Sequence, residues 1–347
     1  MKYTNVHIDT IGYALAPVVV SSEELEDELE PLYSALHIPH GQLESLTGIQ
    51  ERRWWPKGYA LSDGAIAAAT KAFSQSPVTP RDIGAVVYCG VGRDNFEPAT
   101  ACRVASAFQI GGNTAIFDIS NACLGVMNGI LDMANRIQLG QIRAGLVVSA
   151  ETARDIVEET IAKVLDNPTM AFYIESLATL TGGSGAVAVL VTDGSFGNDA
   201  QHQLLGGVSL AAPEHYGLCT WGLDHLGDGL RKQFMSTDAV SVLKYGVKLG
   251  LDTWQALLDE MGWSVEDIDK VICHQVGNAN KDAILKSIGV SAEKDFATFG
   301  HLGNMGTVSL PLTAAIAHER GFLKSGDEVA FLGIGSGLNC MMLGLRW

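Results

Sequence analysis

Three residues whose side chains together suit acyl transfer from a thioester lie far apart in the sequence: Cys123, His274 and Asn304. A cysteine thiolate can attack a thioester carbonyl, an imidazole can move the proton, and an amide N–H can stabilise the developing oxyanion. Each residue also has a structural interpretation, as a packed cysteine, a satisfied buried histidine and a helix-capping asparagine. The sequence around them decides between the two interpretations.

Cys123 comes directly before a stretch with helical spacing of apolar residues, Val126 to Arg136. This position predicts that Cys123 lies at the start of a buried helix, where free backbone N–H groups and the helix dipole would stabilise a thiolate. The remaining cysteines are scattered, with no CxxC pair and no His/Cys cluster at metal spacing, so we expect small buried residues and no metal site. They are Cys89, Cys102, Cys219, Cys273 and Cys340.

His274 and Asn304 both lie where a predicted element meets a loop. His274 ends a short apolar strand and is followed by polar residues, so it can project into a cleft at the sheet edge. Asn304 lies in a glycine-rich turn before the predicted helix Thr307 to Arg320, and such turns bring backbone close to a ligand. Both positions favour a site over a purely structural role.

Two loops add further candidates. Glu97 lies between Phe96 and Pro98 after a predicted strand; apolar neighbours predict a desolvated and more basic carboxylate, and a surface carboxylate is the alternative. The stretch 333–337 reads Gly-Ile-Gly-Ser-Gly after another strand. Since no βαβ unit follows it, dinucleotide binding is weakly indicated, and a loop that offers backbone N–H groups to an oxyanion is favoured.

Helical and short apolar segments alternate along the chain, which predicts an α/β protein with covered sheets. The predicted helices include Ser62 to Ser74 and Val247 to Met261, and the predicted strands are Ala85 to Cys89, Ala144 to Ser149, Ala186 to Val191 and Glu328 to Leu332.

The pattern also repeats internally. Residues 78–92 align without gaps on residues 263–277, and four elements recur in the same order in both halves. We therefore predict two similar halves, residues 1–200 with Cys123 and the Glu97 loop, and residues 201–347 with His274, Asn304 and the glycine-rich loop. Equivalent loops of the two halves would meet near a pseudo-twofold axis.

Composition excludes several classes of protein. The 347 residues include 39 acidic and 23 basic residues, giving a formal net charge of −16. Nucleic-acid and membrane-surface sites carry basic patches, so this charge argues against both. No apolar run approaches the ~18–20 residues of a membrane span, and the first residues lack the apolar core of a signal peptide. We expect a cytoplasmic protein.

The chain resembles the condensing enzymes of the thiolase superfamily, in the ketoacyl synthase III branch. The resemblance runs nearly end to end, and the motifs that carry it are Thr47 to Arg53, Asn121-Ala122-Cys123, His274-Gln275, Gly303-Asn304 with Ser309-Leu310-Pro311, and Gly335-Ser336-Gly337. It implies the five-layer αβαβα thiolase fold, built from two βαβαβαββ halves, and it therefore agrees with the internal repeat.

Within this branch the sequence is most similar to OleA-type acyl-CoA condensing enzymes of olefin biosynthesis. The stretch Gly92 to Thr100 carries the similarity, and residues 152–180 match the longer helical insertion of that subgroup. The resemblance implies that Glu97 reaches the active site of the partner subunit. The Trp and Arg that clamp the coenzyme A adenine in acetyl-CoA-using synthases are absent from residues 41–46.

The resemblance also implies a mechanism. Cys123 forms an acyl-enzyme from an acyl-CoA, and backbone N–H groups of Cys123 and Ser336 hold the oxyanion. Glu97 then removes the α-proton of a second acyl-CoA. His274 and Asn304 stabilise the resulting enolate. The product is a 2-alkyl-3-oxoacyl compound. The resemblance implies a homodimer, with the repeated strands pairing or packing near its interface, and no cofactor apart from the coenzyme A thioester substrates.

Two alternatives stay open. A decarboxylative 3-oxoacyl synthase would condense acyl-CoA with malonyl-carrier protein over His274 and Asn304 and would not need Glu97. A partner subunit without condensing activity, or a thioesterase-like acyl transferase, is the second alternative, against which the intact Cys/His/Asn set argues. The sequence decides neither the acyl chain length nor whether coenzyme A or acyl carrier protein delivers the second substrate.

Overall fold

The computed structural model describes residues 1–197, 202–225 and 231–347. Its strands are β1 (His7–Leu15), β2 (Val18–Ser21), β3 (Glu51–Trp54), β4 (Ile83–Cys89), β5 (Ala115–Ile119), β6 (Ala144–Glu151), β7 (Gly185–Thr192), β8 (His202–Ala211), β9 (Cys219–His225), β10 (Arg231–Thr237), β11 (Lys270–Cys273), β12 (Glu328–Gly335) and β13 (Asn339–Arg346). Its helices are α1 (Ser22–Glu28), α2 (Glu30–Leu36), α3 (Gln42–Thr47), α4 (Leu61–Ser74), α5 (Thr100–Ala107), α6 (Gly125–Gln138), α7 (Arg154–Asp166), α8 (Met170–Leu180), α9 (Ala239–Met261), α10 (Asn278–Ile288), α11 (Phe299–Leu302) and α12 (Ser309–Glu319).

The sheet shows the internal repeat directly. In the N-terminal half, β4 runs parallel to β6, and β6, β7 and β1 follow as antiparallel neighbours. In the C-terminal half, β11 runs parallel to β12, and β12, β13 and β8 follow in the same antiparallel arrangement. The parallel pairing of β5 with β4 in the N-terminal half has a reduced equivalent in the C-terminal half, a single parallel bridge between Val271 and Asp295. The two halves therefore share one topology, as the sequence repeat predicts.

Contacts between β1 and β8 join the two halves into one nine-stranded sheet, in the order β11-β12-β13-β8-β1-β7-β6-β4-β5. The boundary that we predicted at residues 200 and 201 lies outside the described residues, so the division into 1–200 and 201–347 stays a prediction.

Apolar faces of the strands and helices build five layers. Helices α6 and α12 lie in the central layer with a core drawn from both halves, and residues 309–317 of α12 are all buried. Helices α4 and α5 cover the outer face of the N-terminal half, and α9 and α10 cover that of the C-terminal half. Each half of the sheet is apolar on both faces, so helices must cover both faces of each half. The central helices cover the inner faces and the outer helices cover the outer faces, which is the predicted αβαβα fold.

Most predicted elements are confirmed within one to three residues. Two differ for local reasons. Helix α9 begins at Ala239, eight residues before the predicted start, because the Asp238 carboxylate accepts a hydrogen bond from the Ser241 N–H and caps it. Helix α12 begins at Ser309, because a 3-10 turn over Gly306–Val308 precedes it. No helix among the described residues is long and apolar enough to cross a membrane.

The edge of the sheet bears on the expectation that the repeated strands pair or pack near a dimer interface, which stays a prediction. Strand β4, the first copy of the repeated strand, has hydrogen-bonded neighbours on both sides and therefore cannot itself pair with a partner subunit. Strand β5 is the outer strand of this half. All five of its residues, Ala115–Ile119, are only half-buried although four of them are apolar.

Candidate active site

A cavity of about 550 Å³ lies where the strand ends of the two halves meet. Four residues predicted from the sequence line it: Cys123, His274, Asn304 and Ser336. A fifth lining residue, Glu151, was not predicted. The fold therefore brings the cysteine, the imidazole, the amide and the glycine-rich loop together from positions that span more than 200 residues of the chain.

Cys123 lies in a tight turn. A 3-10 turn over Ala122–Leu124 precedes α6, and Ala122 has a left-handed backbone with φ of 44°, a conformation that is strained for a residue with a Cβ. Gly335 approaches from the opposite half, since a Cβ there would lie 3.3 Å from the Cys123 backbone nitrogen. The backbone of the two loops is therefore close enough to enclose a small oxyanion.

Side-chain amides tie these loops together. The Asn339 Nδ2 donates to the Asn121 Oδ1 at 3.2 Å, and the Asn121 Nδ2 donates to the Asn128 Oδ1 at 2.7 Å. These bonds link the nucleophile turn to α6 on one side and to the strand after the glycine-rich loop on the other. They hold the loops without placing a charge near Cys123.

Asn304 is held by backbone hydrogen bonds from both halves. Its N–H donates to the Thr181 carbonyl at 2.9 Å, and its side-chain oxygen accepts from the Gly306 N–H at 3.0 Å. Gly303, with φ of 68°, allows this turn, because a Cβ there would lie 2.6 Å from the Thr181 carbonyl oxygen. With its oxygen engaged, the Asn304 side chain has its Nδ2 amide to donate to a ligand.

His274 directly follows the last residue of β11 and is 9% exposed. Its backbone N–H donates to the Leu332 carbonyl at 2.9 Å, which fixes the chain at the strand end. Burial lowers the pKa of His274 to about 4, and its buried Nδ1 has no hydrogen-bond partner among the described residues. The ring is therefore neutral at pH 7 and able both to donate one N–H and to accept a proton.

The electrostatics at Cys123 correct the sequence prediction. Burial raises the pKa of the Cys123 thiol to about 12, and the nearby Cys219 and Glu151 add to the rise. The hydrogen bond that stabilises the thiolate at the turn opposes this effect but is smaller. The predicted resting thiolate is wrong, because desolvation outweighs the helix start.

Glu97 also differs from its prediction. Its side chain is exposed in the protomer and does not line the cavity, and the neighbouring Phe96 is 87% exposed. From its apolar neighbours we predicted that the Glu97 carboxylate is desolvated. Within one chain it is not, because Phe96 and Pro98 are themselves exposed.

Glu151 is the ionisable residue that sequence reasoning missed. It is the last residue of β6, is 5% exposed, and accepts hydrogen bonds from the backbone N–H groups of Val91 at 2.9 Å and Gly92 at 3.2 Å. Burial raises its pKa to about 7, although the two N–H groups oppose the rise. The signal in the sequence was a lone acid that ends the apolar run of residues 144–150.

The rest of the cavity wall is largely apolar. Helices α7 and α8 occupy residues 154–180, where the helical insertion was predicted, and they contribute wall residues, as do β10 and α9. Representative wall side chains are Ile156, Ala178, Met235, Leu243 and Val247. Such a wall suits an extended hydrocarbon substrate.

Comparison with known proteins decides the family. The chain is 60% identical to the acyl-CoA:acyl-CoA alkyltransferase of Shewanella oneidensis, with complete coverage of both chains. It is 35% identical to the acyl-CoA:acyl-CoA alkyltransferase of Xanthomonas campestris, again over both full lengths. The chain belongs to the acyl-CoA:acyl-CoA alkyltransferase family.

Structural similarity agrees with this membership. A solved structure of an OleA variant from Xanthomonas campestris, with bound lauric acid and lauroyl-CoA, matches with a TM-score of 0.91 and 35% identity and covers 99% of this chain and 100% of that one. Residues 258–347 match the family described as 3-oxoacyl-[acyl-carrier-protein (ACP)] synthase III C terminal. The resemblance to OleA-type condensing enzymes and to the synthase III branch is confirmed.

The protonated state of Cys123 gives a direct prediction. Because its pKa is about 12, the thiolate fraction at Cys123 rises about tenfold for each pH unit between 7 and 10. We expect the rate of Cys123 alkylation by iodoacetamide, followed by peptide mass spectrometry, to rise in that way without a plateau. The partly exposed Cys102 is an internal control for reagent access. A plateau of the Cys123 rate below pH 8 would show a stabilised thiolate and contradict the prediction.

Proposed function

We propose that this protein catalyses the Claisen condensation of two long-chain acyl-CoA thioesters, giving a 2-alkyl-3-oxoacyl product. The observation that carries the proposal is the meeting of Cys123, His274 and Asn304 in one apolar cavity. Membership of the acyl-CoA:acyl-CoA alkyltransferase family supports the substrate class. The reaction uses coenzyme A thioesters as substrates and no further cofactor, and six unpaired cysteines support a cytoplasmic location.

In the first half-reaction Cys123 attacks the carbonyl carbon of an acyl-CoA. The thiol proton passes to the neutral His274, and the carbonyl oxygen becomes an oxyanion. As the oxyanion collapses, the C–S bond to coenzyme A breaks, and the coenzyme A sulfur takes the proton from His274 and leaves as a thiol. Backbone N–H groups of Cys123 and Ser336 hold the oxyanion, which is consistent with the close approach of Gly335 to Cys123. A neutral imidazole in an apolar cavity suits this proton transfer better than a cation would.

In the second half-reaction another acyl-CoA enters the cavity. Glu97 of the partner subunit removes its α-proton, and His274 and Asn304 donate hydrogen bonds to the enolate oxygen. The α-carbon attacks the Cys123 thioester carbonyl, a C–C bond forms, and the Cys123 sulfur leaves as a thiolate that is then protonated. Contact with a partner subunit would bury this carboxylate, which is exposed in the protomer.

The substrate requirement tests the reaction. With myristoyl-CoA as the only substrate, we expect the 2-alkyl-3-oxoacyl product or its hydrolysed acid, detected by mass spectrometry of the extracted lipids. The Cys123→Ser variant should give neither product nor thioester-linked acyl adduct, and Cys102→Ser, at a partly exposed cysteine outside the cavity lining, is the matched control. Product that forms only after malonyl-carrier protein is added would favour the decarboxylative alternative and contradict the proposal.

The assembly is proposed to be a homodimer joined through the β5 edge. Among the described residues this strand pairs only with β4, so one backbone edge is open, and four of its residues are apolar and half-buried, a combination that a second chain can cover. The Glu97 loop is next to this edge, because the Asp118 carboxylate of β5 accepts hydrogen bonds from the N–H groups of Thr100 and Ala101. A dimer through β5 would therefore bring Glu97 to the other subunit.

Sedimentation measures the assembly. We expect a mass about twice the 36.8 kDa of one chain at micromolar concentration. A Phe117→Asp substitution in β5 should shift the mass towards that of the monomer and lower condensation, because it places a charge on a half-buried apolar strand. Phe73→Asp, on the outer helix α4, is the control for simple destabilisation and should leave the association unaffected. A fully active monomer would contradict both the dimer and the shared site.

Glu97 separates the two reaction types. The Glu97→Gln variant should still form the Cys123 acyl-enzyme, but condensation should fall by roughly 10²–10⁴-fold because a positioned base is lost. Mixing Cys123→Ser chains with Glu97→Gln chains should restore activity, since one site of the mixed dimer holds both intact residues. Rates come from product formation after subunit exchange. A Glu97→Gln enzyme that condenses two acyl-CoA molecules at the normal rate would refute the role of Glu97.

A further inference from the structure

Glu151 lies beneath the start of the loop that carries Glu97. Both of its carboxylate oxygens are engaged by this loop, Oε1 by the Val91 N–H and Oε2 by the Gly92 N–H. The two glycines of the loop make room for the carboxylate, since a Cβ at Gly90 would lie 3.1 Å from Oε1 and one at Gly92 would lie 3.4 Å from Oε2. The contact is therefore bidentate and shaped by the backbone.

The rigid side of this contact is β6. The Glu151 backbone carbonyl accepts a hydrogen bond from the Trp55 Nε1 at 3.1 Å, and all eight residues of β6 are buried. The Tyr88 hydroxyl adds a second tie, because its single O–H lies within hydrogen-bond distance of both the Ala150 carbonyl at 2.7 Å and the Gly92 carbonyl at 3.0 Å. The loop start is thus fixed to β6, an interior strand of the sheet.

The far end of the same loop is fixed by another carboxylate. The Asp118 oxygens accept hydrogen bonds from the Thr100 and Ala101 N–H groups at 2.8 and 3.0 Å. Glu97 lies between the two attachments, five residues after Gly92 and three before Thr100. A short loop tied at both ends by pairs of charge-assisted hydrogen bonds has little freedom to reorient its tip.

The charge of Glu151 has a cost at Cys123. It raises the pKa of that thiol and so opposes formation of the nucleophile. Among the described residues no ion pair neutralises this carboxylate. Both of its oxygens bind the loop and neither is hydrogen-bonded to Cys123, so the geometry points to the loop as the place where Glu151 acts.

We propose that Glu151 is a positioning residue for Glu97, which holds the Glu97 loop in the orientation that delivers its carboxylate to the other subunit. This inference rests on the proposed function. Glu151 then affects the reaction at the site of the partner subunit, although its side chain lines the cavity of its own chain. The side chain of Glu151 lies in one subunit, and its effect is expected in the other. A residue with a purely structural role would not show this difference between the two subunits.

The test uses the mixed dimer of Cys123→Ser and Glu97→Gln chains, whose working site takes Cys123 from one chain and Glu97 from the other. Glu151→Gln is added either to the chain that supplies Glu97 or to the chain that supplies Cys123. On the Glu97-supplying chain we expect condensation to fall about tenfold to a hundredfold, since misplacing a reacting group by about 1 Å costs that much. On the Cys123-supplying chain the loss should be at least several-fold smaller, although the substitution there changes the cavity wall beside Cys123.

Two further variants complete the experiment. Glu266→Gln is the matched control, because Glu266 is exposed in a turn remote from the cavity lining, and it should have no effect on either chain. Gly92→Ala approaches the same contact from the loop side, since its Cβ would crowd the Glu151 Oε2 and the Leu61 Cδ1. It should show the same dependence on the chain that carries it, and it replaces Glu151→Gln if that variant does not fold.

Three outcomes overturn the inference. Equal losses on both chains would assign Glu151 to its own cavity or to folding, and no loss on either chain would remove it from the reaction. A larger loss on the Cys123-supplying chain would make it a group that serves Cys123. If the mixed dimer without any change at Glu151 is inactive, the proposed role of Glu97 fails first and the inference fails with it, so the two failures are distinguishable.

Discussion

The hydrogen bond from the Val126 N–H to the Thr307 hydroxyl, 2.7 Å long, joins the two halves at the point where their central helices begin. Helix α6 follows the Cys123 turn, and α12 follows the Asn304 turn. Because both helices are buried among apolar side chains, their starting N–H groups need partners from within the protein. Thr307 supplies one such partner across the pseudo-symmetry, and the close contact of the two helix starts places the site between the halves.

The same burial sets the electrostatics of the cavity. In an apolar environment the neutral forms of Cys123 and His274 are favoured, and their pKa values move in opposite directions, to about 12 and about 4. Such a pair carries no charge at rest, which suits the proposed transfer of the thiol proton when Cys123 attacks a substrate carbonyl. The acid that remains in the wall, Glu151, is held by two backbone N–H groups, so its charge is directed to the loop.

The strands and the two-half topology could be predicted from the sequence, because they depend on a repeated apolar pattern. Residues 78–92 and 263–277 share their apolar spacing, and the strands that they form, β4 and β11, occupy equivalent places in the sheet. Sequence reasoning failed where three-dimensional burial decides, since a helix start predicted a thiolate at Cys123 without the desolvation that opposes it. The left-handed backbone of Ala122 and the role of Glu151 depend on contacts between distant segments, and no local pattern of the sequence encodes them.

The repeated strand also shows how two similar halves acquire different chemistry. In the gap-free alignment Cys89 and His274 are equivalent, each at a strand end beside a central helix. Cys89 is fully buried, and a Cβ at Gly129 of α6 would lie 2.6 Å from its sulfur, so helix packing fills this position in the first half. In the second half the equivalent position is His274, which lines the cavity.

The connection after the repeated strand also differs between the halves. It comprises residues 90–99 in the first half and only residues 274–277 in the second. The extra residues of the first half form the loop that carries Glu97. One topology therefore yields an imidazole inside one half and an exposed carboxylate outside the other. In the proposed dimer, a second copy of the chain would bring such a pair together.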